Sequence, residues 1–139
     1  MKPAGYSGTP LIKKLGIKAG MRIYIQGEPE DYATTLGPLP ADVVRLQRLG
    51  RELDFIHFFT KSRAALRKRL PRLKSALDYA GMLWISWPKR ASKVETDLDE
   101  SAVREMGLRA GLVDVKVAAV DEIWSGHKFV YRLEDRPGR

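Results

Sequence analysis

The chain has 139 residues, 44% hydrophobic and 30% charged, with 25 basic against 17 acidic side chains and a net charge of +8. That length fits one domain able to bury roughly two-thirds of its unfolded surface, and the composition excludes a disordered or membrane-embedded chain. Cysteine is absent, which excludes disulfides, thiolate metal sites and cysteine nucleophiles; with no apolar leader and no run of ~18 apolar residues, a cytoplasmic protein with no membrane partner is expected.

The first expected element is a short helix over Leu11 to Leu15, with Thr9 as cap, Pro10 at the first helical position and Gly16 as the stop. Met21 to Gln26 is rich in strand formers and closes on Gly27, after which Pro29, Glu30 and Asp31 open a helix ending before Gly37. Ala41 to Leu49 has apolar residues at Val43, Val44, Leu46 and Leu49 and reads as a further helix. Leu53 to Phe59 is apolar on both faces but for His57 and the acid Asp54 near its start, and Met82 to Trp87 is nearly as apolar, the pattern of buried parallel strands.

Between these two strands, Lys61, Arg63, Arg67, Lys68, Arg69, Arg72 and Lys74 follow one another with no acid among them, while the rest of the chain is nearly neutral. Leu66, Leu70, Leu73 and Leu77 recur at helical spacing, so the segment predicts an amphipathic basic helix, with a break near Leu70 imposed by Pro71. After a polar loop, a helix is expected over about Leu98 to Met106, capped by Thr96 or Asp97. Val113 to Val120 alternates, with Val113, Val115, Val117 and Ala119 on one side, and pairs as a hairpin with Lys128 to Leu133 through a turn at Ser125 and Gly126; the tail EDRPGR is expected to fray. KKLGIKAG (Lys13 to Gly20) and REMGLRAG (Arg104 to Gly111) echo one another and predict the same helix-stop geometry.

This order of elements predicts one α/β domain, a Rossmann-like three-layer sandwich around a five-stranded, mostly parallel sheet. The ending resembles the second half of class I methyltransferases, which implies the strand order 1-2-3-5-4 with strand 5 antiparallel. The residues do not continue that likeness into the cofactor half. The turn after the first strand reads GEPEDY instead of a glycine-rich G-x-G-x-x-G, Pro29 removes a backbone donor, and Glu28, Glu30 and Asp31 would repel a pyrophosphate. The acid-bearing second strand of an adenosine site is absent from this reading, so no cofactor is expected.

YSGTPLIKKLGI, LPRLKSAL, LWISWPKRASK, TDL and GLVDVKVAAVDEIWSGHKFVYRL together resemble a bacterial family of small stand-alone proteins of unassigned function, over nearly the whole chain from Gly5 to Arg132. SWPK and VDEIWSG are the most distinctive parts. The resemblance supplies no catalytic residue, and where it implies a cysteine in the strand this chain has Ala118 and Ala119.

His57 and His127 stand outside any metal-binding spacing, so no metal is expected, and His57 reads as a hydrogen-bonded core residue. Ser86, Ser92 and Ser125 lack the elbow of a serine hydrolase, and no catalytic residue is assigned. Ligands of open α/β sheets bind at the carboxyl ends of the strands. There the candidates are Trp87, Lys89, Arg90 and Lys93, joined by Asp121 and Trp124 from the hairpin, with Gly27, Glu28, Thr60 and Lys61 at the same edge. Three functions compete: a noncatalytic methyltransferase-like interaction or regulatory module with a protein partner, a nucleic-acid binder using Arg63, Arg67, Lys68 and Arg72, and an enzyme acting on a small anionic substrate at the strand edge.

Overall fold

The computed structural model describes residues 9–137. Six strands form one sheet: β1 (Arg22–Gln26), β2 (Val44–Leu46), β3 (Leu53–Phe59), β4 (Leu77–Pro88), β5 (Leu112–Ala119) and β6 (Trp124–Tyr131). The order is β2-β1-β3-β4-β6-β5, parallel from β2 to β4, with β6 antiparallel to both β4 and β5. The five expected strands keep their expected order, and the sixth, β2, extends the sheet beyond β1.

That sixth strand corrects the helix expected over Ala41 to Leu49. Gly20 donates its backbone N–H to the Ala41 carbonyl and Val44 donates to Met21, so this segment satisfies its backbone on the open edge of β1. Val44 is itself half exposed, and its apolar spacing marks no buried helical face. A second strand beside β1, absent from the sequence reading, is therefore present, though only three residues long.

Helices lie on both faces. α3 (Arg63–Ala76) and α4 (Glu100–Arg109) cover one face, where Leu66, Leu70, Leu73 and Val103 pack on Ile56, Leu83, Ile85 and Phe129. α1 (Leu11–Leu15) and α2 (Tyr32–Leu36) belong to the other, with Leu15, Tyr32 and Leu36 beside Ile23, Phe55, Phe59 and Trp84. Trp84 donates its indole N–H to the Leu15 carbonyl at 2.9 Å, fastening α1 to the central strand.

Several boundaries differ from expectation. α3 runs unbroken through Pro71, whose missing N–H leaves the Arg67 carbonyl unpaired within the helix, and both residues are exposed, so water can satisfy it. α4 is capped by Asp99, whose Oδ1 accepts from Ala102 N at 2.8 Å, and not by Thr96 or Asp97, which bond to the start of α3 instead. At α1 no side chain caps, and Pro10 holds the cap position.

The hairpin turn lies at 120–123, not at Ser125 and Gly126, which are inside β6 opposite Trp87 and Ser86. Gly126 packs closely there, where a Cβ would stand 3.1 Å from Trp84 and 3.2 Å from the Ser86 hydroxyl and make both give way by a few tenths of an ångström. A bulge between Asp114 and Lys116 breaks the alternation of β5, so Val113 and Val117 pair with residues on opposite faces, and Val113, Val115 and Val117 all stay exposed on this edge strand. The two echo segments also differ: Gly16 ends α1 in the left-handed region, whereas Gly107 lies inside α4 against Phe129, where a Cβ would sit 2.1 Å from the ring. Leu133–Asp135 form a turn of 3-10 helix. The part of the resembling segments before residue 9, and Gly138 and Arg139 of the tail, lie outside the described residues.

Candidate functional site

β2 and β3 flank β1 on opposite sides, so the chain reverses direction across the sheet between β1 and β3. Ligands of open α/β sheets enter at such a switch point. Here the crevice is narrow. Gly27 has φ 78° and a Cβ would lie 2.5 Å from the Phe59 carbonyl oxygen, so the turn after β1 is pressed onto the end of β3. The next residue, Glu28, forms an ion pair with Arg45 of β2, which ties the turn sideways across the ends of β1 and β2. A cavity of about 570 Å³ remains outside Gly27, Pro29, Thr60, Lys61 and Trp124. Thr60 is already engaged, its hydroxyl accepting from Ser62 N and its backbone N–H donating to Ser86.

A second cleft of about 540 Å³ opens beyond β4, lined by Trp87, Lys89, Arg90 and Lys93 and by Glu95 and Glu100. Its floor is a strap of chain. Thr96 donates its hydroxyl to the Lys61 carbonyl at 2.6 Å, Asp97 accepts from Arg63 N at 2.8 Å, and Asp99 caps α4. Those three polar groups therefore hold the fold. Three cations, Lys89, Arg90 and Lys93, line the cleft together with four carboxylates, Glu95, Asp97, Asp99 and Glu100, so it offers no excess of positive charge to a simple anion.

Both candidate tryptophans line these cavities while being buried themselves. Trp87 is 4% exposed within the α3/α4 core, and Trp124 is 8% exposed and meets Phe59 edge to face at 5.3 Å. Asp121 shapes the hairpin: one carboxylate oxygen accepts from the backbone of Ile123 at 2.8 Å and of Trp124 at 2.7 Å.

Under the crevice lies a buried chain of polar groups. Tyr32 OH is 2.9 Å from His57 Nδ1, and His57 Nε2 is 2.8 Å from Ser86 Oγ. Serine, imidazole and phenol in this order resemble a nucleophile, its base and an orienting group. His57 and Ser86 are fully buried and Tyr32 is 2% exposed, so a substrate has no access. Burial lowers the His57 pKa to about 3 and raises that of Tyr32, leaving both neutral. The chain is a structural network, and His57 is the core residue its sequence context suggests. Among the described residues no cluster of His, Asp and Glu could hold a metal ion.

The cations of α3 divide into used and unused. Arg63 donates its Nε–H to the Asp97 carbonyl, Arg69 donates to Gln26 and Tyr24, and Lys74 donates to the Ala110 carbonyl. Arg67, Lys68 and Arg72 are exposed and carry no ion pair among the described residues. Two neighbours escaped the sequence reading. Arg51 lines a groove with Arg72, and Arg109 lines another with Arg67, both brought there by tertiary packing.

No family profile and no curated protein matches the chain by sequence. Solved structures do match in fold. A SAM-dependent methyltransferase from Aquifex aeolicus aligns with a TM-score of 0.58 at 16% identity, covering 90% of this chain and 89% of that one. Magnesium protoporphyrin IX methyltransferase from Synechocystis PCC 6803 with bound SAM gives 0.59 at 10% identity, covering 88% and 74%. Aeropyrum pernix fibrillarin, also in complex with S-adenosyl-L-methionine, gives 0.53 at 17% identity, covering 91% and 70%. The chain has a Rossmann-like, methyltransferase-like fold.

Proposed function

We propose that this chain is a noncatalytic methyltransferase-fold module that acts by binding a partner. The observation that carries this reading is the Glu28–Arg45 pair, which holds a carboxylate in the turn after β1, where a dinucleotide fold presents phosphate-binding backbone. Three further features agree with it. Gly27 is closed onto Phe59, Pro29 offers no N–H, and Gln47 stands just past β2, about 20 residues beyond Gly27, where a ribose-binding acid would be needed. The likeness of the SWPK and VDEIWSG segments to small bacterial proteins belongs to the same reading, as does a cytoplasmic location. Among the described residues, no helix is long and apolar enough to cross a membrane.

Calorimetry with S-adenosylmethionine, S-adenosylhomocysteine and NAD tests it. No saturable heat is expected below about 100 μM, equivalent to roughly -5.5 kcal/mol. Tighter binding of any of the three overturns the reading. The Arg45→Ala variant, which releases Glu28, is expected to remain just as inert.

A further inference from the structure

α3 presents a surface that the core does not use. At 100° per residue, Leu66, Leu70 and Leu73 point one way, and all three are buried against the sheet. On the opposite side Ala64, Pro71 and Ser75 form a crest of small exposed residues. Arg67 flanks that crest on one side, and Lys68 and Arg72 flank it on the other, about 100° further round the helix. Arg72 shares its groove with Arg51, which is exposed and carries no ion pair among the described residues. Across the helix, Arg109 is already matched by Glu105 at 2.9 Å and adds little net charge. No acidic side chain belongs to α3 at all.

We propose that this ridge docks the sugar-phosphate backbone of double-stranded nucleic acid, with Arg67 reaching it from one side and Lys68, Arg72 and Arg51 from the other. The inference rests on the reading of the chain as a binding module and names its partner. Charge complementarity carries it: four cations that have no ion pair among the described residues surround a crest low enough for a phosphate chain to approach closely. A membrane surface fits poorly, because the leucine stripe that would enter lipid is consumed by the core. A single strand fits poorly too, because the described residues of the ridge offer no aromatic ring on which bases could stack.

Fluorescence anisotropy with a 20-base-pair DNA duplex tests the inference. Contacts to three or four phosphates give a log-log salt slope of about -2.7 to -3.6. The triple variant Arg67→Glu, Lys68→Glu, Arg72→Glu is expected to lose at least about tenfold in affinity at low salt, with an unchanged urea midpoint. A control with the same charge change on the opposite face, Lys13→Glu, Lys18→Glu, Lys116→Glu, is expected to lose far less. Equal losses in the two variants would reduce the effect to net charge and overturn the ridge as the site. Binding of poly-glutamate, or of vesicles containing phosphatidylserine, as tight as that of the duplex at the same salt overturns the choice of partner. S-adenosylmethionine calorimetry on the same preparation separates the two proposals: duplex binding together with cofactor binding sinks the noncatalytic reading alone, whereas neither binding sinks this one alone.

Discussion

The two buried histidines lie on opposite faces of one sheet, and the fold treats them differently. His57, in β3 between two parallel neighbours, has both ring nitrogens within 2.9 Å of a hydroxyl and its ring stacked on Phe59 at 4.0 Å. His127, in β6, stacks on Phe129 at 4.6 Å, but among the described residues neither ring nitrogen has a hydrogen-bond partner. Asp114 stands 3.6 Å from Nε2 and is already held by Arg104 at 3.0 Å. Burial lowers the pKa of each, opposed at His127 by the charges of Asp114 and Glu100. A polar group in the middle of the sheet is completed by α2 and β4, whereas one beside the edge strand is tolerated incomplete. The difference bears on stability, because an unmade buried hydrogen bond costs about 1 to 3 kcal/mol.

The largest expected effect tests how the His57 side is closed. Trp124 covers Phe59, and Phe59 in turn stacks on His57. Trp124→Ala should cost about 3 to 5 kcal/mol in urea denaturation, the range for removing a buried tryptophan. An unchanged midpoint would mean that the ring serves a partner, and it would make Trp124 and Asp121 the first residues to test for binding.

Next in size is the response to acid. The folded pKa of His57, about 3, lies below the ordinary 6.5, so from pH 6.5 downward the unfolded chain takes up a proton that the folded chain refuses. Stability is therefore complete above pH 6.5 and is lost as pH falls toward 3, by about 1.36 kcal/mol per pH unit or roughly 3 kcal/mol at pH 4. His127 acts in the same direction to a smaller extent. In His57→Gln, urea midpoints measured from pH 7 to pH 4 should fall less steeply than in the parent chain, even though the variant starts lower at pH 7. Parallel curves would show that His57 takes up its proton while folded.

How much of this was legible in the sequence depends on where each residue's partner lies. β3 and the second half of β4 are largely apolar on both faces and were readable, and with them the order of five strands, whereas the start of β4 from Leu77 read as the end of the basic helix. The edges were not. β2 is three residues long and forms because β1 offers a free side, while the bulge in β5 and the turn at Asp121 depend on how β6 must sit to bring Gly126 under Trp84. The cationic run was plain in the sequence, yet its division was not, because Arg63 and Arg69 are satisfied by groups 34 and 43 residues away in sequence. Arg51 and Arg109 gave no signal, being ordinary charges until the fold set them beside α3. Likewise His57 was recognisable as a core residue from its apolar strand, while Tyr32 and Ser86 could not be named as its partners.

The smallest effect sharpens the comparison most, because its sign differs between the two histidines. Replacing His57 by Phe strips Tyr32 and Ser86 of a common partner and leaves two hydroxyls buried without a bond, so it must destabilise. Replacing His127 by Phe orphans no hydrogen bond among the described residues and gives up only the 3.6 Å contact with Asp114, which Arg104 already holds. The new ring keeps the stack on Phe129 and removes two unsatisfied polar atoms from a position 1% exposed. Its greater bulk near Asp114 and α4 works against that gain, so the net change should lie between neutral and about 1 kcal/mol of added stability. It should also lessen the loss of stability in acid, because a proton-accepting group has gone. A loss above about 1 kcal/mol for His127→Phe, measured by urea at pH 7, would mean that a buried water satisfies the ring, and the contrast between the two faces would then collapse into one rule of complete pairing.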